Sequence, residues 1–282
     1  MTSQVLIARR KAGNVVFVGF CWLATAIALF ALAAILAALV KEGVGGMNLK
    51  VFTMDTPAPG SPGGLRNAIV GSIMMCAIAM VIAVTVGVLA GTWLAEYAGE
   101  GEYGKVVRFV NDVLLSAPSI LIGLAIYQLL VAPLHGFSGF AGAVALALLA
   151  APVVTRTTED VLKLQPAALR EAGVALGSPL ASTIRRILWR AARTGILTGG
   201  LLAFARISGE TAPLLFTALN NQFFSLNMTK PTANLPTVIF NYALSAQDDW
   251  RRLAWAGAML IAFAVLGVNI IARTLARENR QS

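Results

Sequence analysis

Five long runs without a charged side chain constrain this chain more than any other feature of its sequence. They are residues 14–40, 69–94, 113–131, 136–154 and 253–272. Each has about the 20 residues that an α-helix needs to cross the hydrocarbon core of a bilayer. A sixth run, residues 194–219, is apolar except for Arg206 and Glu210. We therefore predict an all-α integral membrane protein with six transmembrane helices.

The composition excludes both a soluble globular protein and a disordered chain. Of the 282 residues, 57% are hydrophobic and only 12% are charged, and the mean hydropathy is +0.76. A soluble globule of this size could not bury that much apolar surface in one core. A disordered chain needs low hydrophobicity, so the bilayer is the solvent that this sequence fits.

The 22 lysines and arginines are unevenly distributed between the predicted spans. In a soluble protein the net charge of +9 would suggest a nucleic-acid partner. Cytoplasmic loops of membrane proteins are enriched in Lys and Arg, so the distribution predicts that both termini are cytoplasmic, and it removes nucleic acid as a partner. Fifteen of the cations lie in alternate segments, residues 1–13, 95–112, 155–193 and 273–282, against six in the connections between them.

The predicted spans divide the chain into an anchor and a core. Residues 1–40 are expected to form a cytoplasmic tail and the first transmembrane helix. Its apolar run of 27 residues exceeds the roughly 7–15 residues of a cleaved signal peptide, which favours an uncleaved anchor. Residues 41–282 are expected to form a five-helix core that carries a cytoplasmic loop at 155–193.

No pattern in the sequence is typical of an active site. The pattern GxxxxGK[ST] does not occur, so we predict no nucleotide site, and there is no Ser/His/Asp or HExxH arrangement. His135 is the single histidine, and Cys21 and Cys76 both lie within predicted spans, which leaves too few ligands for a metal. We therefore predict no catalytic, metal-binding or cofactor-binding residue, and a protein that is not an enzyme.

The segment 155–193 is too long for a simple turn, and its local signals divide it into short helices. A helix ending near Leu176 would place Leu169, Ala172 and Gly173 on one face with it. Such a short helix is marginal alone in water, so it needs a surface to pack against. That surface is either another protein or the bilayer. The signals are an N-cap at Thr157 or Thr158, a helix start at Pro166, a stop at Gly177, an N-cap at Ser178 and a first-turn Pro179.

Arg206 and Glu210 are four residues apart in the sixth apolar run. At this spacing they share one face of a helix and can pair. Charged side chains at membrane depth are costly and mark functional sites by default, although an ion pair that only sets helix packing is the alternative. We expect Arg206 and Glu210 to line a substrate pathway, with Ser208 and Thr211 as secondary polar contacts.

The stretch Glu171-Ala172-Gly173-Val174-Ala175-Leu176-Gly177, followed ten positions later by Ile187, resembles the EAA motif of the permeases of ABC importers. Gly173 replaces the second alanine of that motif, and Trp189-Arg190 replaces its closing Leu-Pro, so we expect the helix to continue there. The resemblance implies a coupling helix that docks on a separate ATPase subunit. Its contacts would be Glu171, Ala172, Gly173 and Gly177.

Three further segments resemble the phosphate permeases of that class, and the resemblance covers roughly residues 65–275. It implies a type I ABC importer permease for inorganic phosphate that forms half of a pathway in the inner membrane. ATP and Mg would bind to the partner ATPase, not to this chain. The segments are Arg206-Ile207-Ser208-Gly209-Glu210-Thr211-Ala212-Pro213-Leu214-Leu215, Ala117-Pro118-Ser119-Ile120-Leu121-Ile122-Gly123, and Leu235-Pro236 with Ile239-Phe240-Asn241-Tyr242.

The partners implied by this resemblance are a homologous second permease subunit, a dimer of cytoplasmic ATPase subunits, an extracytoplasmic phosphate-binding protein and membrane lipid. Two other functions remain open at this point. One is a permease of an ABC importer for another solute. The other is an ion-coupled secondary transporter, in which the charged pair would couple the ion and the loop 155–193 would have no ATPase to contact.

Overall fold

The computed structural model describes residues 2–99 and 101–278, and helices account for most of them. A π-helical turn follows α5 at Tyr127–Val131, and a second one joins α8 to α9 at Ile184–Leu188. The helices are α1 Thr2–Gly46, α2 Leu49–Thr53, α3 Arg66–Glu96, α4 Glu102–Ser116, α5 Ser119–Ile126, α6 Gly139–Lys163, α7 Ala167–Ala175, α8 Leu180–Thr183, α9 Trp189–Ile207, α10 Ala212–Thr217, α11 Leu235–Ala243 and α12 Asp248–Glu278.

Helix α6 is the centre of the fold. In its most apolar 18-residue stretch 67% of the residues are buried, compared with 22% in α3 and in α12. Two of its neighbours contact it through glycines. An added Cβ on Gly91 of α3 would lie 2.5 Å from the Thr155 carbonyl oxygen, and one on Gly195 of α9 would lie 2.5 Å from the Val161 side chain. The two glycine contacts let both backbones approach α6 closely.

Small residues at a spacing of four form the face of α3 that packs on α6. Because i and i+4 lie on the same side of a helix, such a row makes one continuous ridge. The row is visible in the sequence, but a count of uncharged residues does not reveal it. The buried row consists of Ala79, Ala83, Gly87 and Gly91, and it is continued by the larger Met75, which lies against Gly142 of α6, and by Gly71, which packs on Ala233 and not on α6.

Length and apolarity identify fewer candidate spans than the six predicted. Among the described residues, four helices are long and apolar enough to cross a membrane, and a fifth span exists only if α4 and the α5 segment are counted together. That pair is bent by 105°, so the straight span predicted for residues 113–131 is wrong. The reason is Pro118, which lacks an N–H and disfavours helical geometry in the residue before it.

The sixth predicted span, residues 194–219, is also wrong as a single helix. Helix α9 begins earlier, at Trp189, and ends at Ile207, and a separate α10 begins at Ala212 with Pro213 in its first turn. We refer to the intervening non-helical residues, Ser208–Thr211, as the α9 break. The prediction failed because apolarity continues through this segment while the helical hydrogen bonds do not.

Helix α1 stands apart from the rest of the fold. None of its most apolar stretch is buried, although the helix continues to Gly46. Its last turns contact α12, where Gly43 faces Met259 and Gly46 faces Arg252. Lipid or another subunit is left to cover the exposed part, and the division of the chain at residue 40 stays a prediction.

Loops pack together at the end of the fold near the α3 N-terminus. Arg66 forms a two-pronged ion pair with Asp55, with N–O distances of 2.9 and 3.0 Å. The Asn67 amide donates to Thr56 Oγ1 and to the Asn221 carbonyl at 2.9 and 2.8 Å. These bonds join residues up to 154 positions apart and fix the loops against α3.

Candidate functional site

Helix α7 lies where the sequence predicts the central helix of the 155–193 segment. It follows Pro166 and ends as expected at Gly177, which has a φ of +67°. The Ser178 N–H donates to the Gly173 carbonyl at 3.0 Å, and the Gly177 N–H donates to the Val174 carbonyl at 2.9 Å. This pair of bonds is the Schellman motif, in which a left-handed residue closes the helix.

Two of the helix starts that the sequence predicts in the 155–193 segment are wrong. Helix α6 continues unbroken to Lys163, so neither Thr157 nor Thr158 is an N-cap, and the Thr157 hydroxyl donates back to the Val153 carbonyl at 2.8 Å. The N-cap before α8 is Pro179 instead of Ser178. Farther on, the expected continuation through Trp189-Arg190 is confirmed, because α9 starts at Trp189 directly after the π-helical turn.

The α7 residues predicted to contact an ATPase are divided between two sides of the helix. Glu171, Ala172 and Gly177 are exposed, whereas Gly173 is buried. An added Cβ on Gly173 would lie 2.6 Å from the Thr183 side chain, so this glycine serves the contact between α7 and α8.

The single face expected for Leu169, Ala172, Gly173 and Leu176 is also divided. Leu169 packs partly buried against the cluster around Leu162 and Ile184, while Leu176 is 84% exposed. Three apolar side chains therefore remain on the surface around α7. They are Leu164, Val174 and Leu176, with 81%, 66% and 84% exposure.

Arg170 attaches α7 to the ends of two long helices. Its guanidinium forms a two-pronged ion pair with Glu96, the last residue of α3, with N–O distances of 2.9 and 2.6 Å. It also donates to the carbonyls of Leu162 and Gln165 at 2.9 and 3.0 Å. The hydrogen bond to Glu96 is the main reason that the pKa of Arg170 is raised.

A second buried carboxylate, Glu159, lies close to this contact. Its side chain is 2% exposed and accepts from Arg108 at 2.7 Å and from Lys163 at 2.6 Å. Arg108 comes from α4 and also donates to the carbonyls of Leu94 and Gly99, beside the end of α3. We refer to residues 94–99, Arg108 and 159–176 as the α7 end.

Sequence analysis did not find the ion pairs of the α7 end. Glu96 and Arg170 are 74 positions apart, and Arg108 and Glu159 are 51 apart. The available signal was weak: Glu96 and Glu159 are acidic residues close to the ends of long apolar helices, where an unpaired charge is costly. Nothing in the spacing identifies their partners.

At the α9 break, the ion pair that the spacing of Arg206 and Glu210 would allow does not form among the described residues. Arg206 is in the last turn of α9, but Glu210 lies three residues beyond the end of the helix, so the two no longer share a helical face. Arg206 is exposed and Glu210 half-buried. Across residues 2–99 and 101–278, neither side chain has a hydrogen bond or a salt bridge.

The two secondary residues at the α9 break have different surroundings. Ser208 donates its hydroxyl to the Phe204 carbonyl at 2.7 Å, which satisfies a carbonyl at the end of α9. Thr211 is the N-cap of α10, but its side chain accepts no capping hydrogen bond. Both residues are half-buried, and the Thr211 hydroxyl stays available for another contact.

Two of the segments singled out in the sequence meet at α10. An added Cβ on Gly123 of α5 would lie 2.6 Å from Pro213 Cα, so the glycine allows α5 and α10 to touch. The Thr217 carbonyl at the end of α10 accepts from the Ser138 N–H at 2.9 Å, just before α6. Helix α10, and with it one side of the α9 break, is thereby fixed to α5 and α6.

An apolar groove of about 420 Å³ lies between α3, α9 and α12 near the break. Ser72, Cys76 and Ser208 line it, but Arg206 and Glu210 do not. The Ser72 hydroxyl already accepts from the Leu235 N–H at 2.8 Å. With no charged side chain in its described lining, this groove does not suit an anion.

The fold resembles that of a known ABC transporter. The described chain aligns with a chain of the MetNI methionine ABC transporter in an inward-facing conformation, with a TM-score of 0.62 at 16% identity. The alignment covers 75% of this chain and 94% of the other. At this identity the similarity concerns the fold alone, which is that of a type I ABC importer permease.

Residues 87–281 match the family described as "Binding-protein-dependent transport system inner membrane component". The chain belongs to this family, and within it to the PstA permeases, as its relatives show. "Phosphate transport system permease protein PstA" of Haemophilus influenzae is 52% identical over 264 residues, which is 94% of each chain. The protein of the same name from Xylella fastidiosa is 48% identical over 99% of this chain and 97% of its own.

A more distant relative has a similar name. "Probable phosphate transport system permease protein PstA" of Methanocaldococcus jannaschii is 34% identical over 249 residues, 87% of this chain and 88% of its own. The match extends over most of the helical core. The chain is therefore a multi-pass membrane component of a transport system, and the family resemblance drawn from the sequence is confirmed.

Proposed function

We propose that this chain is the transmembrane permease subunit of an ATP-driven importer for inorganic phosphate, and that it forms half of the translocation pathway. The observation that carries the proposal is the α9 break, where Arg206 and Glu210 stay unpaired within the described chain. Leaving a charge unpaired at such a position is costly unless it meets water or a ligand. The names of relatives with about 50% identity support phosphate as that ligand.

The chemistry of the two side chains suits phosphate. Arginine presents a planar fork of donors that matches phosphate oxygens. Phosphate retains a proton near neutral pH, and the ionised Glu210 is only an acceptor, so it can receive that hydrogen bond. Sulfate has no proton to offer. Arg206 thus attracts the anion, Glu210 recognises the protonated oxygen, and Ser208 and Thr211 add polar contacts.

Energy for transport comes from a partner in this proposal. ATP and Mg bind to a dimer of cytoplasmic ATPase subunits, and this chain contacts one of them through α7. The exposed Glu171, Ala172 and Gly177 contribute to that contact, and the buried Gly173 positions the helix. A homologous permease completes the pathway, and a phosphate-binding protein docks outside on residues 41–68 and 220–252. Both termini lie in the cytoplasm.

The first experiment tests Arg206 in the complete complex. Co-expressed permeases and ATPase are reconstituted with the phosphate-binding protein, and uptake of labelled phosphate is measured. Arg206→Gln is expected to lower uptake at least about 100-fold while the complex assembles normally, because this side chain makes no hydrogen bond or ion pair within the described chain. Arg186→Gln, which removes an exposed arginine near the start of α9, is the matched control. Unchanged uptake in Arg206→Gln would refute the role.

Selectivity tests the role of Glu210. Phosphate and sulfate are compared as stimulators of ATP hydrolysis in the reconstituted complex. Glu210→Gln is expected to reduce the preference for phosphate about tenfold, because the amide can donate to a fully deprotonated oxyanion. Equal selectivity in variant and wild type would contradict recognition of the proton and would favour a pathway for another solute.

Contact with an ATPase is tested by co-purification. Glu171→Lys reverses an exposed charge on α7 and is expected to reduce recovery of the ATPase at least about tenfold. The control is Lys105→Gln, which alters an exposed charge on another helix, α4. Full phosphate flux by the purified chain alone would contradict the proposal and identify a secondary transporter.

A further inference from the structure

We infer that Arg170 and Glu96 are the positioning pair that makes α7 move as one body with α3 and α6, so that force applied to α7 reaches the core. The inference rests on the proposed function, since it gives α7 the role of the helix that the ATPase pulls. It names two residues that lie outside the EAA-like stretch.

The first argument is the small size of α7. The helix has nine residues, of which only Gly173 is buried. Hydrophobic packing therefore holds it weakly, and a nine-residue helix is marginal by itself. A lever that transmits force needs another attachment to the core.

Arg170 provides that attachment from the middle of the helix. Its side chain reaches four acceptors: both carboxylate oxygens of Glu96 and the carbonyls of Leu162 and Gln165. The Glu96 side chain is 4% exposed and that of Arg170 27%. A two-pronged, largely desolvated pair restricts both distance and orientation, which a single exposed ion pair does not do.

The acceptors belong to the two helices with the tightest contact in the fold. Glu96 ends α3, and Leu162 and Gln165 lie at the end of α6 and just beyond it. The glycine ridge of α3 packs on α6, with Gly87 and Gly91 against its backbone and side chains. A displacement of α7 is therefore transmitted to both helices together.

A second hydrogen bond extends the attachment to α9. The Trp189 indole N–H donates to Thr92 Oγ1 at 3.0 Å, one turn before Glu96 on α3. Trp189 begins the helix that ends at the α9 break. The end of α3 is thus joined both to α7 and to the helix that carries Arg206, and this gives a continuous set of contacts from the ATPase surface to the proposed pathway.

The test separates positioning from simple stability by measuring the ratio of phosphate transported to ATP hydrolysed in the reconstituted complex. Glu96→Gln and Arg170→Lys are each expected to lower this ratio about tenfold, while the amount of ATPase in the complex stays within twofold of wild type. Lysine keeps the charge but cannot reach four acceptors. Arg186→Gln, a loss of charge outside the pair, is expected to leave the ratio unchanged.

The double variant Glu96→Gln, Arg170→Lys is expected to lower the ratio no further than either single change, because the two residues act through one contact. An unchanged ratio in the single variants would overturn the inference. Loss of the ATPase from the complex would also overturn it, because the pair would then be needed for folding and not for transmission.

Hydrogen exchange supplies a measurement that does not depend on the solute. In the nucleotide-free complex the backbone amides of α7 are expected to exchange at least tenfold faster in Glu96→Gln than in wild type or Arg186→Gln. Equal exchange would refute the attachment. If the wild-type complex carried no phosphate, the proposed function would fail, while the exchange rates would still decide the attachment of α7.

Discussion

The α7 end and the α9 break each involve arginine and glutamate side chains, but only at the α7 end do these charges pair. At the α7 end Glu96 and Glu159 are 4% and 2% exposed, and each accepts from an arginine on another helix. At the α9 break Arg206 and Glu210 contact no charged partner anywhere in the described chain. Paired charges fix helices to each other, whereas unpaired charges stay available to a ligand.

This difference follows from the backbone. At the α7 end the paired side chains project from unbroken helices. Their directions are therefore fixed, and they meet where the helices contact each other. At the break the helix ends at Ile207 before Glu210 is reached, so the spacing of four no longer brings the two charges together. A short non-helical segment is what prevents an internal ion pair.

The largest expected effect is the difference in stability between two matched substitutions, one in each region. Glu159→Ala leaves Arg108 and Lys163 facing each other without a carboxylate and is expected to cost about 3 kcal/mol of the free energy of unfolding. Glu210→Ala removes a carboxylate that has no partner in the described chain and should cost less than about 0.5 kcal/mol. Thermal unfolding in detergent would compare them, and equal losses would contradict the distinction between the two regions.

A smaller loss is expected at the contact that fixes the α9 break. Gly123→Ala places a methyl group 2.6 Å from Pro213 Cα, and overpacking of this kind costs about 1–3 kcal/mol. We also expect slower phosphate uptake, because α10 follows directly after Glu210. Gly267→Ala on α12, where no described atom lies within 4 Å of the added methyl, is the control for both melting temperature and uptake. A melting temperature and an uptake rate of Gly123→Ala equal to those of wild type would show that α10 can shift to accommodate the methyl group.

The smallest effect concerns a hydrogen bond at the loop end, where no charge pair is involved. The Tyr242 hydroxyl donates to the Pro57 carbonyl at 3.3 Å, and burial raises the pKa of this phenol from 10.0 to about 12. The folded state thus favours the neutral phenol. The contribution of this phenol to the free energy of unfolding is therefore complete below pH 10 and is lost as the pH rises towards 12. Such a bond contributes about 1 kcal/mol.

Tyr242→Phe isolates that contribution. The variant should be less stable than wild type below pH 10, and the difference should shrink between pH 10 and 12. Measuring the melting temperature of both proteins across that range would check it. A difference that stayed constant with pH would contradict the raised pKa of the phenol, since the ring that stacks on Trp250 at 4.4 Å between centroids is retained in the variant.

Much of the fold was predictable because apolar runs are a local property. Helices α1, α3, α6 and α12 were expected from uncharged stretches, and α7 from Pro166 and Gly177. The two wrong spans share one cause: the prediction counted apolar residues and gave too little weight to Pro118 and Pro213, which begin new helices. The family followed from short strings of residues, and the comparisons confirm it.

For the candidate site the sequence indicates residues but not their geometry, and the roles of those residues stay predictions. Arg206 and Glu210 were identified because charges within an apolar run are rare, and the structure leaves them unpaired among the described residues. For α7 the exposed Glu171 and Ala172 agree with a contact surface, while Gly173 turned out to face Thr183. That α7 contacts an ATPase stays a prediction.

By itself the sequence determined that this chain is a helical membrane protein of the binding-protein-dependent transport family. The length of apolar runs, the charge distribution and short motifs depend only on the order of the residues. Only the tertiary structure decided which charges are paired. Glu96 meets Arg170 and Glu159 meets Arg108 because α4 and α7 lie beside the C-terminal ends of α3 and α6, which pack closely at Gly87 and Gly91. It also left Arg206 without a partner in the described chain, because the helix ends one turn too early to supply one.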